Sequence, residues 1–185
     1  MSLEQGRHRV AASLSTDQAR VDRVTGAMLG DLFLNGAFEE SLDGSAPLLD
    51  ATERSHMRDV GGLVRALALL EVAALAVLVL AGRRLSGERD RRGRLLLRAA
   101  ATVGIAAAGL AAVFALAFDA AFTAFHALFF AAGNWQFGPE SNLIRLFPEP
   151  FWYETSLLAG ASIVLAAGVA ALVGRRDRGA ASAAT

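Results

Sequence analysis

The chain has 185 residues, 54% of them hydrophobic, and a mean hydropathy of +0.41, which is too apolar for an ordinary soluble domain and indicates a membrane protein. Its formal net charge is +0, so the bulk charge offers no reason to expect a nucleic-acid partner, and none is predicted. The chain contains no cysteine, which excludes disulfide bonds and thiolate zinc sites.

The first 60 residues are mostly polar, and the first 25 contain no apolar segment of the kind found in signal peptides. Ser15 and Gln18 have the spacing of a capping box at the start of a helix. The apolar residues that follow share one helical face: Val21, Val24, Met28 and Leu32. This pattern predicts an amphipathic helix that lies on the membrane or on the protein itself.

A second helix is predicted to begin at Asp50 and Glu53, which have the pattern of N-terminal capping residues, and to continue into the first apolar segment. Three segments are apolar over about 20 residues, the length that a transmembrane helix needs. These apolar segments are 63–82, 99–118 and 155–174, and the helices that contain them are predicted at about 61–82, 99–130 and 155–174. The predicted fold class is therefore an all-α, polytopic membrane helix bundle.

The first apolar segment contains two charged residues, Arg65 and Glu71. Arg65 lies near one end, where its long side chain can extend to the membrane surface. Glu71 lies about halfway along, where an ionised carboxylate costs about 2.5–3.5 kcal/mol. We expect Glu71 to be protonated, paired or facing the interior of the bundle.

Arginine counts predict the orientation, because the cytoplasmic loops of membrane proteins are enriched in basic residues. Residues 83–98 contain seven arginines and two acids, residues 175–178 contain three arginines, and residues 119–154 contain one arginine and four acids. We therefore expect an extracytoplasmic segment at 1–60, a transmembrane bundle at 61–174 with an extracytoplasmic loop at 119–154, and a cytoplasmic tail at 175–185. Because no helix precedes residues 1–60 to lead them across, we expect the complete form to have a fourth, first spanning helix.

Two histidines are the candidate catalytic residues. His56 lies about two turns before the first apolar segment, and His126 lies about two turns beyond the second one, so both are predicted near the outer membrane face. In isolation, His56 is typical of a solvated helical residue. His126 is as consistent with an interfacial packing residue as with a functional one.

Acidic residues accompany both histidines. Glu53 and Asp59 lie three residues before and after His56, and either is predicted to hydrogen-bond to a ring nitrogen and select the tautomer. Asp119 precedes His126 by two turns, roughly 10 Å along the axis, and is expected to meet His56 or an arginine instead. These residues have metal-ligand chemistry but no recognised ligand spacing, so no metal site is predicted.

The loop after His126 is rich in aromatic, amide and proline residues. Its aromatic side chains are predicted to form a belt at the outer interface, comprising Trp135, Phe137, Phe147, Phe151, Trp152 and Tyr153. Arg145 is expected to pair with Glu140, Glu149 or a buried acid, or to contact a lipid headgroup. The amides of Asn134, Gln136 and Asn142 are candidate hydrogen-bond donors.

Two sequence blocks carry a family resemblance. The block FHALFFAAGNWQFGPESNLIRLFPEPFW at 125–152, together with LLDATERSHMRDVGGLV at 48–64, resembles the lipoprotein intramolecular transacylase family, Lit. Members are small bacterial integral membrane proteins with four helices. The resemblance extends over roughly residues 20–174, and within the helices it is a likeness of hydropathy only.

The resemblance implies an acyltransferase of the bacterial cytoplasmic membrane that acts at the outer leaflet without a cofactor. The substrate would be a diacylglyceryl lipoprotein, with membrane lipid as the other partner, and the product would be the N-acylated lyso form. The family's two catalytic histidines correspond to His56 and His126. We favour His126 as the base, His56 as the acid or oxyanion donor, and Arg145, Asn134 or Trp135 as supporting residues that stabilise the tetrahedral oxyanion.

Two other functional classes are compatible with the sequence. One is a non-catalytic helix bundle that binds lipid or a partner protein. The other is a small transport component that uses Glu71, Asp119 and the histidines. Transport predicts a polar stripe through the membrane, whereas the ionisable residues of this chain cluster outside it, which disfavours transport.

Overall fold

The computed structural model describes residues 10–130 and 133–182. Within these ranges the chain is helical without strands, which confirms the predicted all-α fold class. The helices, numbered in chain order, are α1 Val10–Ser13, α2 Gln18–Leu34, α3 Ala51–Arg84, α4 Arg89–Leu116, α5 Phe118–Phe129, α6 Asn142–Leu146 and α7 Glu149–Ser182.

Helices α3, α4 and α7 contain apolar windows with mean hydropathies of 2.5, 2.1 and 2.3, and each is long enough to cross a membrane. The prediction of three spanning helices among the described residues is confirmed. Helix α3 has 34 residues and is therefore roughly 51 Å long, whereas the hydrocarbon layer is about 30 Å thick. The first turns of α3, residues 51–62, consequently precede the apolar segment.

The helix predicted over 99–130 is interrupted, and this prediction is wrong. Helix α4 ends at Leu116, Ala117 leaves the helical conformation with φ −144° and ψ 52°, and α5 begins at Phe118. Asp119 lies in the first turn of α5. A carboxylate is favourable there because the N-terminus of a helix carries a partial positive charge.

The start of α2 also differs from its prediction. Ser15 adopts a left-handed conformation with φ 52° and closes the preceding turn, so it does not cap the helix. Asp17 caps α2 instead, and its side chain accepts a hydrogen bond of 2.9 Å from the Arg20 backbone N–H. The capping role predicted for Asp50 and Glu53 is confirmed, and the two residues form a capping box, because each side chain accepts the other residue's backbone N–H at 2.8 Å.

The chain divides into two compact units. The first comprises Met1–Leu69 and Asp119–Tyr153, and the second comprises Leu70–Phe118 and Glu154–Thr185. The core of the first unit is built from one set of buried residues: Val10, Val21, Val24, Met28, Phe38, Leu49, Met57, Leu143, Leu146, Phe147 and Phe151. The amphipathic helix α2 therefore packs on the protein itself. The division of the chain by membrane side stays a prediction.

Two aromatic residues assigned to the interfacial belt belong to this core. Phe147 and Phe151 are 7% and 8% exposed, so for them the predicted anchoring role is wrong. Trp152 is half-exposed, and its indole N–H donates to the Phe147 carbonyl at 3.1 Å.

In the second unit, α4 and α7 approach closely at two glycines. A Cβ atom on Gly93 would lie 2.6 Å from the Gly174 carbonyl oxygen, so a larger residue would force the backbones apart. Arg92 donates two hydrogen bonds of 2.6 Å each to the Asp177 carboxylate beside this crossing. Glu71 is exposed, so of the three alternatives expected for it, protonation, pairing or a place facing the bundle interior, the last is not what the structure shows.

Candidate active site

The structure brings the two predicted histidines together in the first unit. His56 lies on α3 before the apolar segment, and His126 lies on α5. Their rings stack with centroids 5.8 Å apart and an angle of 28° between planes. Their exposed fractions are only 5% and 9%. Two imidazoles from different helices therefore share one largely dehydrated site.

Aromatic side chains surround the His126 ring. The Phe122 ring, one turn earlier on α5, has its centroid 4.0 Å away, and the Trp135 ring from the following loop lies at 5.0 Å. Trp135 was predicted as a supporting residue, and its contact with His126 places it at the site.

The His56 ring has aromatic neighbours of its own. Phe130 contacts it edge-on with centroids 4.8 Å apart, and Phe137 does so at 5.6 Å. Phe130 also lies 5.4 Å from the His126 ring and thus contacts both histidines. The sequence pattern did not single out Phe130, because one more phenylalanine in an apolar run carries no distinguishing signal.

A backbone contact selects the tautomer of His126. Its Nδ1 lies 2.8 Å from the Phe122 carbonyl oxygen. A carbonyl oxygen only accepts hydrogen bonds, so Nδ1 must carry the proton and donate it. In the neutral ring, Nε2 then has a free lone pair. His126 is therefore arranged as a proton acceptor through Nε2.

Both histidines favour the neutral form. Burial lowers the pKa of His56, the neighbouring His126 lowers this pKa further, and the negative charge of Asp59 opposes both effects. Burial also lowers the pKa of His126, which the hydrogen bond to Phe122 partly opposes. Loss of hydration disfavours the charged imidazolium, so both rings stay neutral at neutral pH.

Two buried polar atoms at the site have no hydrogen-bond partner among the described residues. They are His56 Nδ1 and Asn134 Oδ1. Buried polar groups are almost always hydrogen-bonded in folded proteins. Unsatisfied atoms on neighbouring side chains therefore indicate a place where a ligand or water completes the site.

Asp59 and Asn134 form a pair that was not predicted. The Asn134 amide donates to Asp59 Oδ2 at 2.7 Å and approaches Ser55 Oγ at 3.5 Å. These contacts occupy the amide N–H groups, so Asn134 is not the free oxyanion donor that we expected. The expectation that Asp59 hydrogen-bonds to the His56 ring is also wrong, because no hydrogen bond joins the two side chains and His56 Nδ1 has no partner among the described residues.

Glu53 forms no hydrogen bond with the His56 ring. It accepts hydrogen bonds from Ser141 and Leu143, in the loop that follows α5. It is 2% exposed. Its Oε2 accepts the Asp50 backbone N–H at 2.8 Å, and its Oε1 accepts the Leu143 backbone N–H at 3.0 Å and the Ser141 hydroxyl. Glu53 was predicted as a cap. Its bonds to residues about 90 positions away have no local sequence signal.

A second contact supports the same loop. The Asn142 amide donates to the Leu48 carbonyl at 2.8 Å, just before α3 begins. Together with the Glu53 contacts, it attaches α6 to the start of α3, only a few residues before His56.

Two predicted supporting residues are placed elsewhere. Arg145 forms an ion pair with Glu140, one of the partners that we predicted for it. Asp119 is exposed, and no contact among the described residues joins it to His56 or to an arginine. Within the described residues there is also no group of three or more histidine and acidic side chains that could hold a metal ion.

The lowered histidine pKa values predict a distinct titration. In the His8→Gln variant only His56 and His126 remain. His56, whose pKa is lowered to about 4, should stay neutral at pH 6, and His126 should titrate below the ordinary histidine pKa of about 6.5. NMR of ¹⁵N-histidine-labelled protein checks this and should show His126 protonated on Nδ1. Adding His126→Gln should raise the pKa of His56. Titration of both rings at about 6.5 would contradict the buried arrangement.

The substitution Glu53→Gln should increase the mobility of the loop at residues 141–147. The glutamine places an amide N–H against backbone N–H donors, and an unsatisfied buried group costs about 1–3 kcal/mol. Hydrogen exchange of residues 141–147 should therefore speed up, and thermal stability should fall. Glu140→Gln is the matched control, because Glu140 is 86% exposed and a surface ion pair contributes about 0–1 kcal/mol. Equal effects of both substitutions would show that Glu53 does not hold the loop.

A family model described as "Lipoprotein intramolecular transacylase Lit" matches residues 7–152, which is more than half of the chain and includes both histidines. No curated protein and no solved structure matches the chain.

Proposed function

Since the chain belongs to the lipoprotein intramolecular transacylase family, Lit, we propose that it transfers an acyl chain within a diacylglyceryl lipoprotein. The acyl group would move from the sn-2 glyceryl ester to the α-amino group of the N-terminal cysteine and give the lyso-form lipoprotein. Family membership supports the broad role of lipoprotein transacylation, and the apolar helices support a place in the membrane.

The observation that carries the proposal is the pair of buried neutral histidines, with Nε2 of His126 free to accept a proton. Aminolysis of an ester requires a neutral amine, and an α-ammonium group has a pKa of about 7.7–8.0. Nε2 of His126 would take the proton that the amine loses as its nitrogen attacks the ester carbonyl.

His56 would act on the oxygen side of the reaction. When the tetrahedral intermediate collapses, the bond between the carbonyl carbon and the glyceryl oxygen breaks, and that oxygen needs a proton. Neutral His56, whose ring stacks 5.8 Å from that of His126, would receive the proton that His126 took from the amine and pass it to the leaving oxygen. One C–N bond replaces one C–O bond, and no other reactant is consumed.

The aromatic surroundings suit this chemistry. Nucleophile and ester belong to one molecule, so binding them in a reactive geometry supplies much of the acceleration. Phe122, Phe130 and Trp135 pack against the His126 ring, and such an apolar wall would limit hydrolysis of the bound ester. No covalent enzyme intermediate is needed.

Of the three residues considered for oxyanion stabilisation, Trp135 is the one that remains available. Arg145 is paired with Glu140, and the Asn134 amide donates to Asp59. The Trp135 ring packs against His126, and its indole N–H has no acceptor among the described residues. We assign Trp135 the donor role and Asp59 with Asn134 a positioning role.

The site would lie at the outer leaflet. His56 precedes the apolar segment of α3 in the chain, and the arginine-rich residues 83–98 follow that segment. By the enrichment of basic residues on the cytoplasmic side, this end of α3 is extracytoplasmic and the C-terminus is cytoplasmic. The ester and the amine of a membrane-anchored lipoprotein would reach the site at headgroup depth.

Mass spectrometry of a lipopeptide tests the activity. The protein, produced from its full reading frame with a tagged diacylglyceryl lipoprotein in a host without lipoprotein N-acylation, should give an N-acylated product. His56→Gln and His126→Gln should each slow conversion about 10²- to 10⁴-fold, as expected for loss of a general acid or base. His8→Gln, which removes the chain's third histidine, should convert normally. A substrate that keeps its free amine despite good expression of the membrane-inserted protein would refute the proposal and favour a non-catalytic bundle.

The substitution Trp135→Phe tests the indole N–H while it keeps an aromatic ring in the same place. Phenylalanine keeps an aromatic ring against His126 but removes the donor, so the maximal rate should fall about 10²- to 10³-fold with little change in KM. Trp152→Phe is the matched control, because that indole bonds to the Phe147 carbonyl in the core, and its loss should lower stability rather than rate. A normal rate for Trp135→Phe would exclude the donor role.

A further inference from the structure

The second unit has a strong excess of positive charge where α3 ends, α4 begins and α7 nears its end. Residues 83–98 and 175–178 contain seven and three arginines, against three acids, Glu88, Asp90 and Asp177. The structure divides these arginines into two sets, according to whether an acid neutralises them.

The first set, which we call the outer arginines, interacts with the three acids. Its ion pairs are Arg91 with Glu88 at 3.1 Å, Arg92 with Asp177 at 2.6 Å, Arg94 with Asp90, and Arg178 with Asp90 at 3.5 Å. The charge of Arg89 also acts on Asp177. All three acids are thus used by the outer arginines.

The second set, which we call the inner arginines, has no acidic partner. These side chains are exposed and form no ion pair or hydrogen bond among the described residues: Arg83, Arg84, Arg98, Arg175 and Arg176. Each lies within two residues of an apolar segment, namely 63–82, 99–118 or 155–174. The unpaired charges therefore lie where the helices leave the hydrocarbon, at the depth of lipid headgroups.

Helix packing brings into contact two residues that each directly precede an inner arginine. A Cβ atom on Gly174 would lie 3.1 Å from Leu97 Cγ, so these residues are in contact where α4 and α7 cross. Arg98 and Arg175 directly follow them in the chain. The bidentate Arg92–Asp177 pair holds the same two helices together.

We propose that the inner arginines bind the phosphate groups of anionic phospholipids in the leaflet that meets this end of the helices. The planar guanidinium group matches the geometry of a phosphate and stays charged at all relevant pH values. An anionic lipid brings no cation of its own, so it neutralises these charges, whereas a zwitterionic headgroup brings its own ammonium. This site is independent of the proposed transacylation.

Lipid exchange measured by native mass spectrometry tests the site. The purified protein in mixed vesicles should retain phosphatidylglycerol in preference to phosphatidylcholine. Each arginine near an anionic membrane surface strengthens binding about fivefold, so Arg175→Gln/Arg176→Gln should lower the preference about 25-fold. Arg175→Lys/Arg176→Lys should keep most of it. An unchanged preference in the glutamine variant would overturn the proposal.

Two controls isolate the inner arginines. Glu88→Gln/Arg91→Gln removes an outer ion pair at constant net charge and should leave the preference unchanged. Arg20→Gln/Arg23→Gln removes the same net charge from the first unit and should also have no effect. Equal losses in every charge-reducing variant would show non-specific attraction and refute a defined site. Displacement of the lipid by millimolar inorganic phosphate would refute the membrane as the source of the ligand.

Discussion

The buried carboxylate of Glu53 is the contact on which the arrangement of the site depends. It joins the first turn of α3 to α6 by accepting the backbone N–H groups of Asp50 and Leu143 and the hydroxyl of Ser141. A buried carboxylate is tolerated only when its oxygens are hydrogen-bonded, so these partners must stay in place together. Because His56 follows Glu53 by less than one helical turn, its position relative to the loop is set by the same bonds.

Burial sets the protonation state of the two histidines. An exposed imidazole is partly protonated near neutrality, whereas loss of hydration lowers the pKa of both rings and keeps them neutral. The hydrogen bond from His126 Nδ1 to Phe122 lies within one turn of α5, so the helix itself leaves Nε2 free. The same apolar walls that change these pKa values also limit the access of water. In the proposed reaction, proton transfer and the protection of the ester from hydrolysis would therefore share one physical cause.

The sequence predicted those features that depend on near neighbours in the chain. The three apolar segments, the capping box at Asp50 and Glu53, and the buried face of α2 all follow from patterns within a few turns. Predictions from local patterns were wrong where a nearby residue took the predicted role, or where tertiary packing buried the side chain. Asp17 replaced Ser15 as the cap of α2, and Phe147 entered the core of the first unit instead of a membrane interface. The break at Ala117 interrupts an apolar run that has no glycine or proline at that point.

By itself, the sequence determined that the described part of the chain, 10–130 and 133–182, is all-α with three helices long and apolar enough to span a membrane, and the blocks around His56 and His126 identified the family. Hydropathy and capping act over short distances, so they can be read from one stretch of chain. Only the tertiary structure decided that the two rings stack, that Asn134 bonds to Asp59 across 75 residues, and that Glu53 holds the loop across 90. These contacts depend on which side chains the packed helices bring within hydrogen-bonding distance. No periodicity along the chain encodes that.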